Sequence, residues 1–505
     1  MRRRGAESAV TSQQSHAESV AAAATVDRVR LSGPPTARAG ATTAVLLSLV
    51  VVPACGRTAP PPQGVDVPAP PTTSVPRATI PTAPAAAVAV PNPEFAAVSQ
   101  LVEADIAARR LPGAVVEIGH AGRVVFRQAY GERRLASEPG LDGAPAPAEP
   151  MTADTIFDLA SLSKIIVTTT AVLQLYERGE VALDEPVQTY LPEFNPDDDP
   201  RRAQVTLRML LTHTSGIGGD LSRQGPWGLT AADKADGIHR AMTAPLEFGP
   251  GEVFHYSDIG FIVLGTMVEQ MTGQPLDIYA RDKIFTPLGM ADTRYLPATK
   301  ACGPHTILGN ALVFDPTAPT DEPCAEDAWS TDLLARVAPT ARDEDTPGVN
   351  PDIGRLLRGT VHDPTARRMG GVTGSAGVFS TAQDVGKYAQ GLLDRLAGRP
   401  SRFPLQQSTV ELMTTPQQPA SAGGGQRGFG WDIDTYQSTP RGQIFPVGSF
   451  GHTGFTGVTV WMDPGSDSYV VVLANVIHQR GGPPVVKLSG DVATAAARAL
   501  NLYGS

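Results

Sequence analysis

A hairpin beside a helix occurs near both ends of the part of the chain that reads as globular, and no other feature restricts the fold as much. Near its start, Phe95, Val98, Leu101, Val102, Ile106 and Ala107 recur at helical spacing, and the pattern stops at Arg109-Arg110 before Pro112-Gly113. Residues 114–118 and 124–129 then read as two strands joined at His120-Ala121-Gly122. Near the other end, β-rich runs at 457–462 and 469–474 flank Asp463-Pro464-Gly465, and 491–500 has the pattern of a closing helix. Such ends predict an α+β fold in which an antiparallel sheet is flanked by the N- and C-terminal helices. Between them, from about 184 to 363, helical pieces alternate with long Pro/Gly-rich loops and little strand pattern, which predicts a mostly helical lobe. No repeat of solenoid or propeller period is present.

The first 93 residues are of a different kind. Residues 41–52 hold Val45, Leu46, Leu47, Leu49, Val50, Val51 and Val52, preceded by Arg30 and Arg38 and followed by Pro53-Ala54-Cys55-Gly56. A positive flank, a short apolar run and a small residue form the layout of an export signal, and the run is short of the roughly 20 residues a membrane span needs. Val52-Pro53-Ala54-Cys55 also resembles a bacterial lipobox, although Pro53 is unusual there. The expectation is an exported chain whose residues 1–55 are a signal, held to the membrane by lipidated Cys55 or secreted after plain cleavage. Residues 56–93 are rich in Pro, Ala, Thr and Val, including Pro60-Pro61-Pro62 and Pro70-Pro71. Each proline removes a donor and fixes φ, so this segment reads as an extended spacer before a folded domain at 94–505.

Composition excludes several functions. The net charge is −10 and the second half has no Lys/Arg-rich run, so nothing is present to hold a phosphate backbone, and nucleic acid is not an expected partner. The three cysteines, Cys55, Cys302 and Cys324, form no CxxC or zinc-spaced cluster and there is no HExxH, so neither a metal nor another cofactor is expected. Cys302 and Cys324 share one irregular segment. In an oxidising compartment they close a disulfide; otherwise they stay two thiols.

Three short segments carry chemistry. Asp158-Leu159-Ala160-Ser161-Leu162-Ser163-Lys164 runs into residues 165–178, whose Val167, Val172, Leu173, Leu175 and Tyr176 fall on one side. This spacing puts Ser161 at a helix start and Lys164 one turn along on the same face. A serine hydroxyl is a poor nucleophile at neutral pH, and an adjacent amine whose charge burial disfavours is able to take its proton. In Phe254-His255-Tyr256-Ser257-Asp258, a tyrosine precedes a helical run at 261–271; beside an ammonium its pKa falls and it becomes a proton carrier. In Gly451-His452-Thr453-Gly454-Phe455-Thr456-Gly457, small residues at 454 and 457 let a substrate backbone approach a strand edge.

Together, and in this order and rough spacing, Ser-x-x-Lys, Tyr-Ser-Asp and His-Thr-Gly resemble the motifs of class C serine β-lactamases, DD-peptidases and related esterases. The stretches Leu210-Leu211-Thr212-His213-Thr214-Ser215-Gly216, Gly370-Gly371-Val372-Thr373-Gly374-Ser375-Ala376-Gly377 and Gly428-Phe429-Gly430-Trp431 look like the same family. The resemblance implies a β-lactamase/transpeptidase-like fold with the active site between sheet and helical lobe. It implies an acyl-enzyme at Ser161, proton handling by Lys164 and Tyr256, and a strand wall of His452, Thr453 and Gly454. Oxyanion N–H groups would come from Ser161 and Phe455. Two departures shift the expected substrate. Asp258 stands where an asparagine is usual and is free to hold Lys164 instead; His452 stands where lysine is usual and is mostly neutral at pH 7. The expectation is a monomeric serine hydrolase for a small-molecule or peptide substrate, an ester, an amide or a D-amino-acid peptide. The alternative is a silent β-lactamase-like lipoprotein that binds cell-wall peptide or a partner protein. His362 and Asp363 read as a loop anchor. An α/β-hydrolase is excluded, because no Gly-x-Ser-x-Gly turn is present.

Overall fold

The computed structural model describes residues 89–319, 323–350, 353–478 and 485–505. The apolar run at 41–52, Cys55 and the spacer up to residue 88 lie outside the described residues. Among the described residues, no helix is long and apolar enough to cross a membrane.

The hairpins from the two ends join in one sheet of eight strands: β1 (Gly113–His120), β2 (Arg123–Arg134), β3 (Glu149–Pro150), β4 (Gln426–Arg427), β5 (Asp432–Asp434), β6 (Phe450–Gly454), β7 (Val458–Asp463) and β8 (Ser468–Ala474). The order is β4-β5-β6-β7-β8-β1-β2-β3, with every pair antiparallel. The last strand therefore lies beside the first, Val116 opposite Val472. Ala121 (φ 51°) and Gly122 (φ 75°) make the two-residue turn between β1 and β2, both left-handed as a tight hairpin requires.

In β8, Tyr469, Val471 and Leu473 point into one apolar cluster and Val470, Val472 and Ala474 into the other. A strand buried on both faces needs no polar alternation, which is why this run is continuously apolar. One face is covered by α1 (Ala96–Ala107) through Val98 and Val102, and by α5 (Val486–Ala499) through Leu488, Val492 and Ala496. The other meets α4 (Ala382–Leu396) and the helix that follows Ser161. Each fully buried Val or Leu contributes about 1.5–3 kcal/mol.

The structure corrects three sequence-based expectations. The closing helix starts at Val486, because Leu488 also packs on the sheet. The fold begins before Glu94: the Val90 N–H donates to the Arg127 carbonyl (2.7 Å) and the Arg127 N–H returns the bond (3.1 Å). The lobe at 184–363 is helical only in its first part, where Lys234–Thr243, α3 (Asp258–Thr272) and Leu276–Ala280 lie. From residue 289 onward it is loops, short 3-10 turns such as Thr331–Ala335, and short strand pairs, such as His305–Leu308 with Ala311–Phe314. Side-chain links fasten this part: Cys302 and Cys324 are bridged with Cα atoms 5.8 Å apart, and buried Arg367 and Arg368 pair with buried Asp343 and Asp345. Closing a loop of 22 residues restricts the unfolded chain by about 3 kcal/mol.

Candidate active site

The turn that carries Ser161 is built by a buried carboxylate. Asp158 Oδ1 accepts the Ala160 N–H (2.9 Å), its Oδ2 accepts the His362 N–H (2.7 Å), and its backbone carbonyl accepts the Thr456 hydroxyl (2.7 Å). Burial pushes this carboxyl up to about 6. Ala160 takes a left-handed φ of 44°, and the N–H groups of Leu162, Ser163 and Lys164 then bond three residues back at 3.0 Å each. The coil widens to a π-helical stretch over Lys164–Thr169 before continuing as α2 (Thr170–Glu177). Such wide turns are frequent at functional sites. Ser161 is partly exposed, whereas Lys164 behind it is completely buried.

Lys164 makes two hydrogen bonds and one ion pair. Its Nζ lies 3.0 Å from Ser161 Oγ and 2.8 Å from the Ser375 carbonyl, and it pairs with the Asp258 carboxylate. Ser375 gets there through a backbone-to-backbone contact: a Cβ on Gly374 would stand 2.0 Å from the Phe261 carbonyl oxygen, so only glycine lets this loop meet α3. Asp258 is the first residue of α3, whose Ser257 cap accepts the Gly260 N–H at 3.1 Å. Burial alone would lower the Lys164 pKa, but the Asp258 charge and the neighbouring Tyr256 outweigh it, and the value rises. The expected free amine is thus corrected to a resting ammonium.

Tyr256 lies within hydrogen-bonding reach of Ser161 and Lys164, with Lys164 Nζ 5.2 Å from its ring centre. Its pKa is raised rather than lowered, because burial costs a phenolate more than Lys164 returns. Under it lies His213, stacked at 4.2 Å, with a φ of 58° and Nδ1 accepting the Ser257 N–H (3.0 Å). Burial and the Arg427 charge hold His213 neutral.

The strand wall differs from its expected form. His452 is only 4% exposed, stands 6.1 Å from the Tyr256 ring, and directs Nδ1 to the Thr453 carbonyl at 2.7 Å. Burial, Arg427 and Lys164 keep it uncharged. A Cβ on Gly454 would come 2.6 Å from the Leu159 carbonyl oxygen. This glycine therefore makes room for the Ser161 turn, not for a substrate backbone, while Thr453 is partly exposed. Of this segment it is Phe455 that lines the cleft, 74% exposed and stacked on His362 at 5.8 Å. Neither the Ser161 nor the Phe455 N–H is spent on a backbone carbonyl.

The cleft has a volume of 340 Å³ and brings Ser161, Lys164, Tyr256 and Asp258 together with Asp220, Arg223, His362 and Asp363. Asp220 is pushed up to about 7 by burial and by Asp258; Asp363, which caps Pro364–Arg368, is raised by the same causes. His362 is lowered to about 4 by burial and the Arg367 and Arg223 charges. Hollows of 390 and 470 Å³ elsewhere bring no serine, cysteine or histidine to their linings. No group of three or more His, Cys, Asp or Glu among the described residues is arranged to hold a metal ion. Sequence reasoning missed Asp158, Asp220, Arg223 and Arg427 and gave His213 no role. Only His213 left a signal, as a large residue in a loop of small ones.

With this geometry in view, the chain can be set beside known proteins. The Beta-lactamase family model matches residues 98–483. A putative D-alanyl-D-alanine carboxypeptidase of Escherichia coli K12 is 29% identical over 371 residues, 72% of this chain and 78% of that protein. An N-acetylmuramyl-L-alanine amidase of Bacillus subtilis 168 is 30% identical over 396 residues, 75% and 80% of the two chains. Among solved structures, a penicillin-binding protein homolog from Caulobacter crescentus superposes with a TM-score of 0.59 at 18% identity, covering 82% of this chain and 99% of that one. EstCE1, a hydrolase with promiscuous acyltransferase activity, gives 0.57 at 22%, covering 80% and 98%. The chain belongs to the Beta-lactamase family, with its β-lactamase/transpeptidase-like α+β fold, and is a serine hydrolase.

Proposed function

We propose that the protein hydrolyses an amide or ester of a cell-wall-derived peptide outside the cytoplasm, through an acyl-enzyme at Ser161. The observation that carries this reading is Lys164 Nζ, hydrogen-bonded to Ser161 Oγ at 3.0 Å while paired with Asp258. Because Lys164 donates to Oγ, the serine's own proton is directed elsewhere, towards Tyr256.

At rest Tyr256 is a phenol and Lys164 an ammonium, so a base must first be made. A proton moves from Lys164 Nζ to the Asp258 carboxylate, and the freed amine takes the Ser161 proton directly or through Tyr256. Oγ then bonds to the carbonyl carbon. The oxyanion is met by the N–H groups of Ser161 and Phe455. The C–N or C–O bond breaks as Tyr256 hands its proton to the leaving group and takes one from Lys164; the amine freed again then activates water, which releases the acyl group by the reverse route, and Asp258 returns its proton to Lys164. The amidase and carboxypeptidase relatives support a cell-wall peptide as substrate. The apolar run at 41–52 and Cys55 support export, with lipid anchoring at the membrane.

The test is intact-protein mass after treatment with a fluorophosphonate and with nitrocefin, alongside rates on short-chain p-nitrophenyl esters, D-Ala-D-Ala peptides and N-acetylmuramyl-L-alanine. The expected result is one adduct, lost in Ser161→Ala, and turnover of at least one substrate class. An unmodified wild-type protein with every probe would reject the hydrolytic reading and favour a binding protein.

A further inference from the structure

The cleft holds three carboxylates, Asp220, Asp258 and Asp363, and among the described residues two cationic side chains line it, Lys164 and Arg223. Lys164 is committed in full to Ser161, Ser375 and Asp258. The strand wall supplies no charge towards a substrate, since His452 is buried and points to the Thr453 carbonyl. Arg223 is different. Its side chain is 51% exposed, and its ion pair is a long one, 3.8 Å to Asp345 Oδ1. That carboxylate is already gripped at both oxygens by Arg368, at 2.8 and 3.1 Å.

The loop bearing Arg223 is fixed in place. Arg368 Nη1 donates to the carbonyls of Arg223, Gly225 and Trp227 at 3.2, 3.4 and 3.2 Å, and Arg368 is itself fully buried. Its guanidinium also lies 5.1 Å from the Trp227 ring centre, with Arg240 at 4.9 Å from the same ring. One buried guanidinium thus holds three alternate carbonyls of a loop whose own arginine faces the cleft. A head group presented from a fixed backbone loses little freedom on binding, and a planar guanidinium matches a carboxylate with two parallel hydrogen bonds.

We propose that Arg223 recognises a free carboxylate on the substrate, near the stacked Phe455 and His362 rings, and so sets a preference for acidic over neutral acyl compounds. This assignment rests on the hydrolytic reading for the identity of the cleft. It places the specificity charge on the helical lobe, opposite the strand wall.

Mono-p-nitrophenyl succinate and its methyl ester differ only in the free carboxylate. The wild-type protein is expected to prefer the acid in kcat/KM, and Arg223→Gln to reduce that ratio about 10- to 100-fold, chiefly through KM. Arg223→Lys should keep part of the preference, as a point charge without the fork. Raised salt should shrink the wild-type ratio. An unchanged ratio in Arg223→Gln overturns the proposal. If the wild type leaves both esters intact and Ser161 takes no adduct, the hydrolytic reading fails instead. Calorimetric affinities of the two esters for Ser161→Ala protein, with and without Arg223→Gln, then decide the carboxylate assignment alone, and equal affinities reject it.

Discussion

The floor of the cleft and the strand wall behind Tyr256 each bury a basic side chain, Lys164 and His452, and the two are held in opposite charge states. Lys164 is fully buried yet held as an ammonium, because the Asp258 carboxylate and Tyr256 beside it outweigh the cost of burial. His452 is equally enclosed and held neutral, because burial and its charged neighbours, Arg427 and Lys164, outweigh the Thr453 carbonyl. Burial disfavours the charged form at both sites; at Lys164 the partners outweigh it, and at His452 they do not. In the proposed mechanism the proton traffic runs on the floor, along Ser161, Tyr256, Lys164 and Asp258, while the wall gives shape and backbone donors.

The largest test of this contrast is Lys164→Met. We expect ester turnover to fall about 10²–10⁴-fold, the range for loss of a general acid–base group, with Asp258 left unpaired and thermal stability reduced. Turnover within tenfold of wild type would mean the floor does not carry the proton. Next comes His452→Lys, which puts a further cation near Arg427 and Lys164. Denaturant titration should show a loss of about 3–5 kcal/mol, the cost of an uncompensated buried charge. An unchanged midpoint would show that the wall tolerates charge and erase the distinction. His452→Gln, by contrast, should stay close to wild type in both stability and turnover.

The smallest effect concerns pH. Asp220 has its carboxyl pushed up from 3.8 to about 7 by burial and Asp258, so in the fold it stays protonated below about 7. Its stabilisation is present below the unfolded value and is lost as pH rises through 7. Above 7 a further negative charge appears beside Lys164 and holds its proton harder. The kcat/KM profile should therefore decline on the alkaline side, and Asp220→Asn should remove that inflection. A decline that survives in Asp220→Asn assigns the titration elsewhere.

How much of this was legible depends on the distance over which each feature is determined. The helix Ala96–Ala107, the β1–β2 turn at Ala121-Gly122 and the juxtaposition of Ser161 with Lys164 arise from residues within a few positions of one another, so spacing and turn chemistry reveal them. The continuous apolar run of β8 also shows in the sequence. That β8 lies beside β1, with Val116 opposite Val472, is a match across more than 350 positions that no local pattern encodes.

The amino-acid order by itself determined the α+β class, the two hairpin ends, the pairing of Ser161 with Lys164, and the kinship carried by three motifs. Only the tertiary structure decided that Lys164 is charged and His452 is not, that Gly454 serves the Ser161 turn, that the segment after residue 289 is fastened by a disulfide and buried ion pairs, and that Asp220 and Arg223 enter the cleft. A side chain's charge depends on which groups surround it in space and how much water they displace, and those neighbours come from chain positions far from its own.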